Sequence, residues 1–208
     1  MKLAIFGATG GTGIEIVKQA LERGHSVTAF VRNPAPLADQ GDRLTIVTGD
    51  IHDLECVEQA IQGQDAVICA LGARDLKKTM IRTEGTVNII RAMKKVNVRR
   101  LIVVSAMGVG ESWNSLSTVN KLFFSTVLKS AREDHEAQEA AVKASELDWT
   151  IIRPSGLVNT PRTGVYSVGE NIRAKTSQIA RADVADLILN ELEKPALVHK
   201  AVTITGSA

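Results

Sequence analysis

Residues 5–13 read IFGATGGTG, and the positions that follow repeat apolar residues at Ile14, Val17, Ala20 and Leu21. Three glycines, Gly7, Gly10 and Gly13, stand three apart with Gly11 as an extra, between a short apolar run and an amphipathic helical pattern. Glycine weakens regular structure, so this density at the mouth of a helix marks a requirement of the backbone. A tight turn needs freedom in φ, and close approach of a phosphate-bearing ligand leaves no room for a side chain. The unpaired N–H groups opening the helix then attract an anion, and Thr9 and Thr12 add hydroxyl donors. The spacing is Gly-x-x-Gly-x-x-Gly rather than Gly-x-Gly-x-x-Gly. Its position between strand and helix predicts a dinucleotide-binding turn.

What the rest of the chain can form follows from its apolar runs: LAIFGA (3–8), SVTAFVR (26–32), LTIVTGD (44–50), DAVICALG (65–72), RLIVVSA (100–106), WTIIRP (149–154) and AVTIT (201–205). They are rich in Val, Ile and Thr and mostly lack alternation, the pattern of strands buried on both faces of a parallel sheet. Helical patterns separate them: GIEIVKQALERG, LECVEQAIQG, MIRTEGTVNIIRAMKKV and ADVADLILNELEK. Strand and helix alternate to the end, which predicts an α/β fold of the Rossmann type, a doubly wound, mainly parallel sheet with helices on both faces. We expect one domain over residues 1–208, with 107–130 and 155–180 as insertions over the C-terminal edge of the sheet, on the substrate side of the cleft. The region 115–148 reads as a long amphipathic helix, more apolar first and more charged later. Leu116, Val119, Leu122, Phe123 and Val127 form a stripe suited to packing, a pocket wall or a subunit contact.

Composition excludes several classes. The chain has 208 residues, 44% hydrophobic and 23% charged, with a net charge of +2. Its densest basic stretch, RAMKKVNVRR (91–100), ends a helical pattern, where cations complement the dipole, so no nucleic-acid partner is expected. Cys56 and Cys69 are the only cysteines, and no metal-ligand cluster stands out; Cys69 reads as a small core residue. No apolar run approaches the ~18 residues of a membrane span. The first strand begins by Leu3, leaving no room before it for a secretion signal. The expectation is a cytoplasmic protein without membrane contact, a monomer unless the apolar stripe around Leu122, Phe123 and Val127 forms a subunit contact.

Three further strand ends bear on the dinucleotide. The second strand ends AFVRNPAP, with Arg32 where a carboxylate would otherwise take the ribose 2′-hydroxyl. A guanidinium pairs bidentately with a 2′-phosphate, which favours NADPH over NADH; the alternative is a plain surface arginine. In TGDI (48–51), Asp50 suits the adenine amino group and Ile51 the ring face, but Asp50 suits equally a cap on the helix near Leu54, a role for which Asp53 is better placed. In ALGAR (70–74), Leu71 and Gly72 leave room for the adenosine ribose or diphosphate.

GATGGTG, TGDI, ALGAR, TEGTVNIIRAMKKVNVRRLIVVSAMG (83–108) and QIARADVADLIL (178–189) together resemble the atypical short-chain dehydrogenase/reductase superfamily. Within it, DHEAQEAAVKASELDWTIIRP (134–154) and NTPRTGVY (159–166) are most similar to NAD(P)H-binding reductases of the flavin reductase and biliverdin-IXβ reductase type. The resemblance implies that Gly7, Thr9, Gly10, Gly11, Thr12 and Gly13 form the diphosphate loop and that Arg32 holds the 2′-phosphate. Asp50 and Ile51 would contact adenine, and Leu71, Gly72 and Arg74 would line the segment after the fourth strand. Ser105 would stand beside the nicotinamide, and Pro154, Ser155, Gly156 and Leu157 would border nicotinamide and substrate.

The departures matter as much. The superfamily's Tyr-x-x-x-Lys pair, in which the lysine lowers the pKa of a proton-passing phenol, falls here on Ala131 and His135. Tyr166, the only tyrosine, lacks a lysine at that spacing. A second arginine of the vertebrate bilin reductases is replaced by Pro36, and their histidine after the sixth strand by Gly156. Carbonyl reduction of the alcohol-dehydrogenase kind is therefore not expected. The expectation is an NADPH-dependent reductase transferring hydride to flavins (FMN, FAD, riboflavin), with bilins or quinones as further acceptors, because the cofactor carries that chemistry and water can supply the proton. Ser105 would position, against the reading of a plain strand-end serine. His135 would assist a proton, against that of a surface or structural histidine among Glu133, Asp134 and Glu136. A second reading is a non-catalytic NADP(H)-binding redox sensor that has lost the pair for lack of need.

Overall fold

The computed structural model describes residues 1–34, 37, 41–72, 80–115, 129–170, 172 and 176–207. The stripe from Leu116 to Val127 lies outside them, as do Pro36 and Arg74.

Among the described residues eight strands form one sheet. They are β1 (Lys2–Phe6), β2 (Ser26–Val31), β3 (Leu44–Thr48), β4 (Ala66–Cys69), β5 (Arg100–Val104), β6 (Asp148–Pro154), β8 (Tyr166–Gly169) and β10 (Lys200–Gly206). Their order is β3-β2-β1-β4-β5-β6-β10-β8, parallel throughout except for the antiparallel β10–β8 pair. Two short strands, β7 (Gly156–Val158) and β9 (Gln178–Ala180), pair in parallel as a separate ribbon. The order reverses at β1, whose flanks pair with β2 (Phe6 opposite Phe30) and β4 (Phe6 opposite Cys69). This is the doubly wound topology, and its switch point lies between the ends of β1 and β4.

The runs without alternation are the central strands. Leu3, Ala4, Ile5 and Phe6 are wholly buried, as are Ala66, Val67, Ile68 and Cys69. Helices α1 (Gly11–Glu22) and α5 (Arg181–Glu193) cover one face, where Ile16, Val17, Val184 and Ile188 pack on Leu3, Ile5 and Ile68. Helices α2 (Leu54–Ile61), α3 (Ile81–Lys95) and α4 (Lys129–Lys143) cover the other, with Ile61, Ile89 and Val142 among Phe6, Val67 and Val103. At about 25 cal/mol per Å², burying such side chains from both faces is the main term holding the sheet.

The segment 155–180 contributes β7, β8 and β9, none of which the apolar runs predicted. They are three or four residues long, too short to carry a period.

Candidate functional site

The loop after β1 closes on a glycine scaffold. Gly7 has φ of 81°, a left-handed conformation, and its carbonyl accepts the Gly10 N–H at 3.0 Å. A Cβ on Gly7 would overlap the Ala70 carbonyl, and one on Gly13 would overlap the carbonyl of Gly7 itself. Both side chains are thus forbidden by backbone, where β1, β4 and α1 meet at the switch point. Gly10 is the N-cap of α1 with an extended backbone, no side chain caps the helix, and its first turn holds no acidic residue. Thr12 is buried and Thr9 half-buried within the same turn. The helix therefore presents uncompensated N–H donors and the positive end of its dipole at the crevice. A dinucleotide diphosphate fits this cradle by charge and by the space that the missing side chains leave.

Around the crevice the other strand ends take their places. Arg32 follows β2, is exposed, and makes no ion pair or hydrogen bond among the described residues. Asp53, not Asp50, caps α2, accepting the Glu55 and Cys56 N–H groups. Asp50 is exposed after β3 and accepts the His52 N–H at 2.9 Å, so the helix makes no claim on it. Ile51 is buried, and the Asn88 amide holds its carbonyl at 3.0 Å. Gly85 on α3 makes room for this wall, because a Cβ there would lie 2.5 Å from Leu71 Cδ1 and 2.9 Å from Ile51 Cγ1. Leu71 is half-buried, and Gly72 is exposed with open space around it.

After β5 and β6 the site is polar and deeply buried. Ser105 is 4% exposed, its N–H bonds the Ile152 carbonyl, and its hydroxyl donates to Glu139 Oε1 at 2.7 Å. Glu139, 3% exposed, is also gripped by Arg153, through Nε at 2.9 Å and Nη2 at 2.5 Å. Arg153 is 1% exposed and reaches Glu111 Oε2 at 2.7 Å, and Glu111 meets Lys143 at 3.0 Å. Gly110, with φ of 54°, permits this, since a Cβ there would sit 2.6 Å from Arg153 Nη2.

His135 lies beside the same serine, Nδ1 at 3.5 Å from Ser105 Oγ and 3.3 Å from Gln138 Oε1. Gln138 in turn donates to Thr86 Oγ1 at 2.9 Å, and Thr86 contacts the Cys69 thiol. Burial, helped by the Arg82 charge, pushes the His135 pKa down to about 4, so its ring is neutral at neutral pH. It is not a surface histidine, whatever the charges beside it in sequence. Its neighbour Asp134 is buried too and caps α3 from outside, accepting the Arg82 and Thr83 N–H groups at 3.3 and 2.9 Å. This cap docks α4 with His135 and Glu139 turned toward Ser105 at the end of β5, and Gln138 toward Thr86 and Cys69.

Pro154, which closes β6, and Ser155 after it are buried, while Gly156 is exposed and Leu157 half-buried. The Gly156 N–H bonds the Ser177 carbonyl at 2.8 Å, and a Cβ at Gly156 would lie 2.7 Å from that same oxygen. The histidine found here in the vertebrate bilin reductases thus has no room. Tyr166 stands away from these groups; its hydroxyl donates to Asp186 at 2.8 Å, and burial together with that carboxylate pushes its pKa up to about 12. Among the described residues no group of His, Cys, Asp and Glu side chains is arranged to hold a metal ion, and no helix is long and apolar enough to cross a membrane.

Sequence reasoning missed Glu139, Gln138, Arg153 and Gly85. The first two were signalled by spacing, since His135, Gln138, Glu139 and Val142 recur on one helix face.

Residues 7–195 match the model of a family described as NAD(P)H-binding. An uncharacterized protein of Bacillus subtilis, YwnB, is 31% identical, with all of both chains covered. Among solved structures, ChuY, described as an anaerobilin reductase of Escherichia coli, is 27% identical, with TM-score 0.84, 99% of this chain and 97% of that one covered. A candidate NADH-flavin reductase of Streptococcus pneumoniae is 25% identical, with TM-score 0.81 and both chains wholly covered.

Proposed function

The chain belongs to the NAD(P)H-binding family, and on that premise we propose that it is an NADPH-dependent reductase of flat, conjugated acceptors, flavins first, with bilins or quinones as further substrates. One observation carries the reading: neither polar group beside the end of β5 is poised as a general acid at neutral pH. Ser105 commits its hydroxyl hydrogen to Glu139, and His135 is neutral at working pH. Reduction of an isolated carbonyl needs a positioned acid. A conjugated ring spreads the charge it acquires and can take its proton from water, so a site without an acid suits it.

In this reading the loop Gly7–Gly13 holds the diphosphate through its N–H groups, Arg32 the 2′-phosphate, Asp50 and Ile51 the adenine, and Leu71 and Gly72 the adjoining ribose. Ser105, its hydrogen spent on Glu139, offers only lone pairs, which suits it to accept an amide N–H and so to orient a carboxamide. Pro154, Ser155, Gly156 and Leu157 form the wall on the acceptor side. A bound reduced nicotinamide supplies the hydride. Relatives described as an anaerobilin reductase and a candidate NADH-flavin reductase support small conjugated substrates.

The test is consumption of NADPH by the purified protein with excess FMN, riboflavin, a bilin or a quinone, followed by absorbance in air. The reading requires turnover with flavin. Tight NADPH binding with no consumption by any of these acceptors overturns it in favour of an NADP(H)-binding regulator.

A further inference from the structure

Arg181 opens α5, a poor place for a cation, because the N-terminal end of a helix already carries partial positive charge. Its side chain crosses to the loop after β1, and a Cβ on Gly11 would stand 2.7 Å from Arg181 Nε and 2.9 Å from its Cδ. The guanidinium therefore lies against the first turn of α1, a second helix N-terminus with neither a side-chain cap nor an acidic residue. Its one hydrogen-bond partner among the described residues is neutral, Asn159 Oδ1 at 2.7 Å from Nη1. The nearest carboxylate in sequence, Asp183, is buried and occupied elsewhere, accepting from Thr163 N, Thr163 Oγ1 and Gly164 N at 2.8–2.9 Å. No carboxylate pairs with Arg181 among the described residues. A full positive charge thus lies between the N-termini of two helices, with Asp183, the carboxylate in the first turn of α5, turned to Thr163 and Gly164 instead.

We propose that Arg181 is a diphosphate-binding residue of the cofactor site, closing over the anion from the α5 side while the α1 N–H groups hold it from the other. This rests on placing the dinucleotide diphosphate at residues 7–13. The same side chain bonds Asn159 at the exit of β7, so it also ties the loop beyond that strand to the phosphate seat. A side chain at Gly11 would push Arg181 aside, which gives the extra glycine of GATGGTG a role apart from the turn.

The experiment measures dissociation constants of NADPH, NADH, ADP and adenosine 2′-monophosphate for wild type, Arg181→Gln, Arg181→Lys and Gly10→Asp. Circular dichroism checks that each variant is folded. Losing one charge-assisted hydrogen bond to phosphate weakens binding by about tenfold or more. Arg181→Gln should weaken NADPH, NADH and ADP by that same factor and leave adenosine 2′-monophosphate unchanged, with Arg181→Lys recovering part of the loss. Undiminished ADP affinity in Arg181→Gln, or an equal loss of adenosine 2′-monophosphate, overturns the assignment. Gly10→Asp separates the two levels, for the extended backbone of Gly10 accepts an N-capping aspartate, whose carboxylate would take the place of the diphosphate. If Gly10→Asp abolishes NADPH binding and Arg181→Gln changes nothing, only Arg181 is wrongly assigned. If Gly10→Asp binds NADPH normally, the diphosphate does not lie on this loop and both statements fall.

Discussion

Ser105 donates its hydroxyl hydrogen to Glu139 at 2.7 Å, with both residues buried and Glu139 doubly held by Arg153. The serine is thereby fixed as an acceptor, and the carboxylate is fixed by a guanidinium that has almost no contact with water. A merely packed serine would leave its hydroxyl free to turn.

The two ends of this contact should respond differently to substitution. Glu139→Gln leaves Arg153 without its buried counter-charge, and breaking a buried pair from one side costs about 3–5 kcal/mol. Ser105→Ala keeps the Arg153–Glu139 pair and should cost less, about 1.5–3 kcal/mol in stability, the worth of a hydrogen bond to a charged group. Its effect on flavin turnover should be a loss of roughly three- to tenfold in kcat/KM, the worth of one neutral hydrogen bond. Urea unfolding of both variants and steady-state kinetics of Ser105→Ala check this.

The buried imidazole makes stability depend on pH in a defined window. Burial lowers the His135 pKa from 6.5 to about 4, so the unfolded chain binds the extra proton first. Its contribution is fully present above about pH 6.5 and is lost as the pH falls toward 4, amounting to about 2 kcal/mol by pH 5. His135→Gln should flatten the stability profile across that interval. Unfolding midpoints at a series of pH values measure the slope, and an unchanged slope would remove His135 as its source.

Two glycines of the loop should separate by what a methyl group meets. In Gly13→Ala the new carbon runs into the Gly7 carbonyl, which is backbone and can yield only by moving the turn. A loss of about 1–3 kcal/mol is expected, as for overpacking elsewhere. In Gly11→Ala it meets the flexible side chain of Arg181, and alanine is the better helix former by about 1 kcal/mol. Thermal unfolding should show the first variant clearly below wild type and the second equal or above.

Arg32 governs the choice between the two nicotinamide dinucleotides in our reading. It is exposed and unpaired among the described residues, so its removal should leave the fold intact. Arg32→Ala should raise the KM for NADPH at least tenfold while changing that for NADH little. Equal effects on both would take the 2′-phosphate away from this residue.

The sheet and the glycine turn were legible because their physics is local. Buried parallel strands leave unbroken apolar runs, and a side-chain-free turn leaves glycines at fixed spacing. The roles of Asp134, Gln138 and Glu139, and the burial of His135, were not legible in the same way. Reading a helix by its apolar stripe assigns charged residues to water, and here α4 turns charged and amide side chains inward. Their partners come from far along the chain, Arg82 and Thr83 for Asp134, Arg153 for Glu139, and a single sequence carries no sign of such pairings. The same holds for Gly85, whose need to be small comes from Leu71 and Ile51 packed against it.

The central claim is a reductase whose chain supplies no acid. Its most direct test is a single anaerobic turnover, mixing the NADPH complex with FMN and following the bleaching of the flavin at about pH 6 and about pH 8. The account predicts bleaching at the same rate at both, slowed by a primary isotope effect when NADPH is deuterated at the transferred position. No bleaching, or a rate that follows the titration of one protein group, would contradict it.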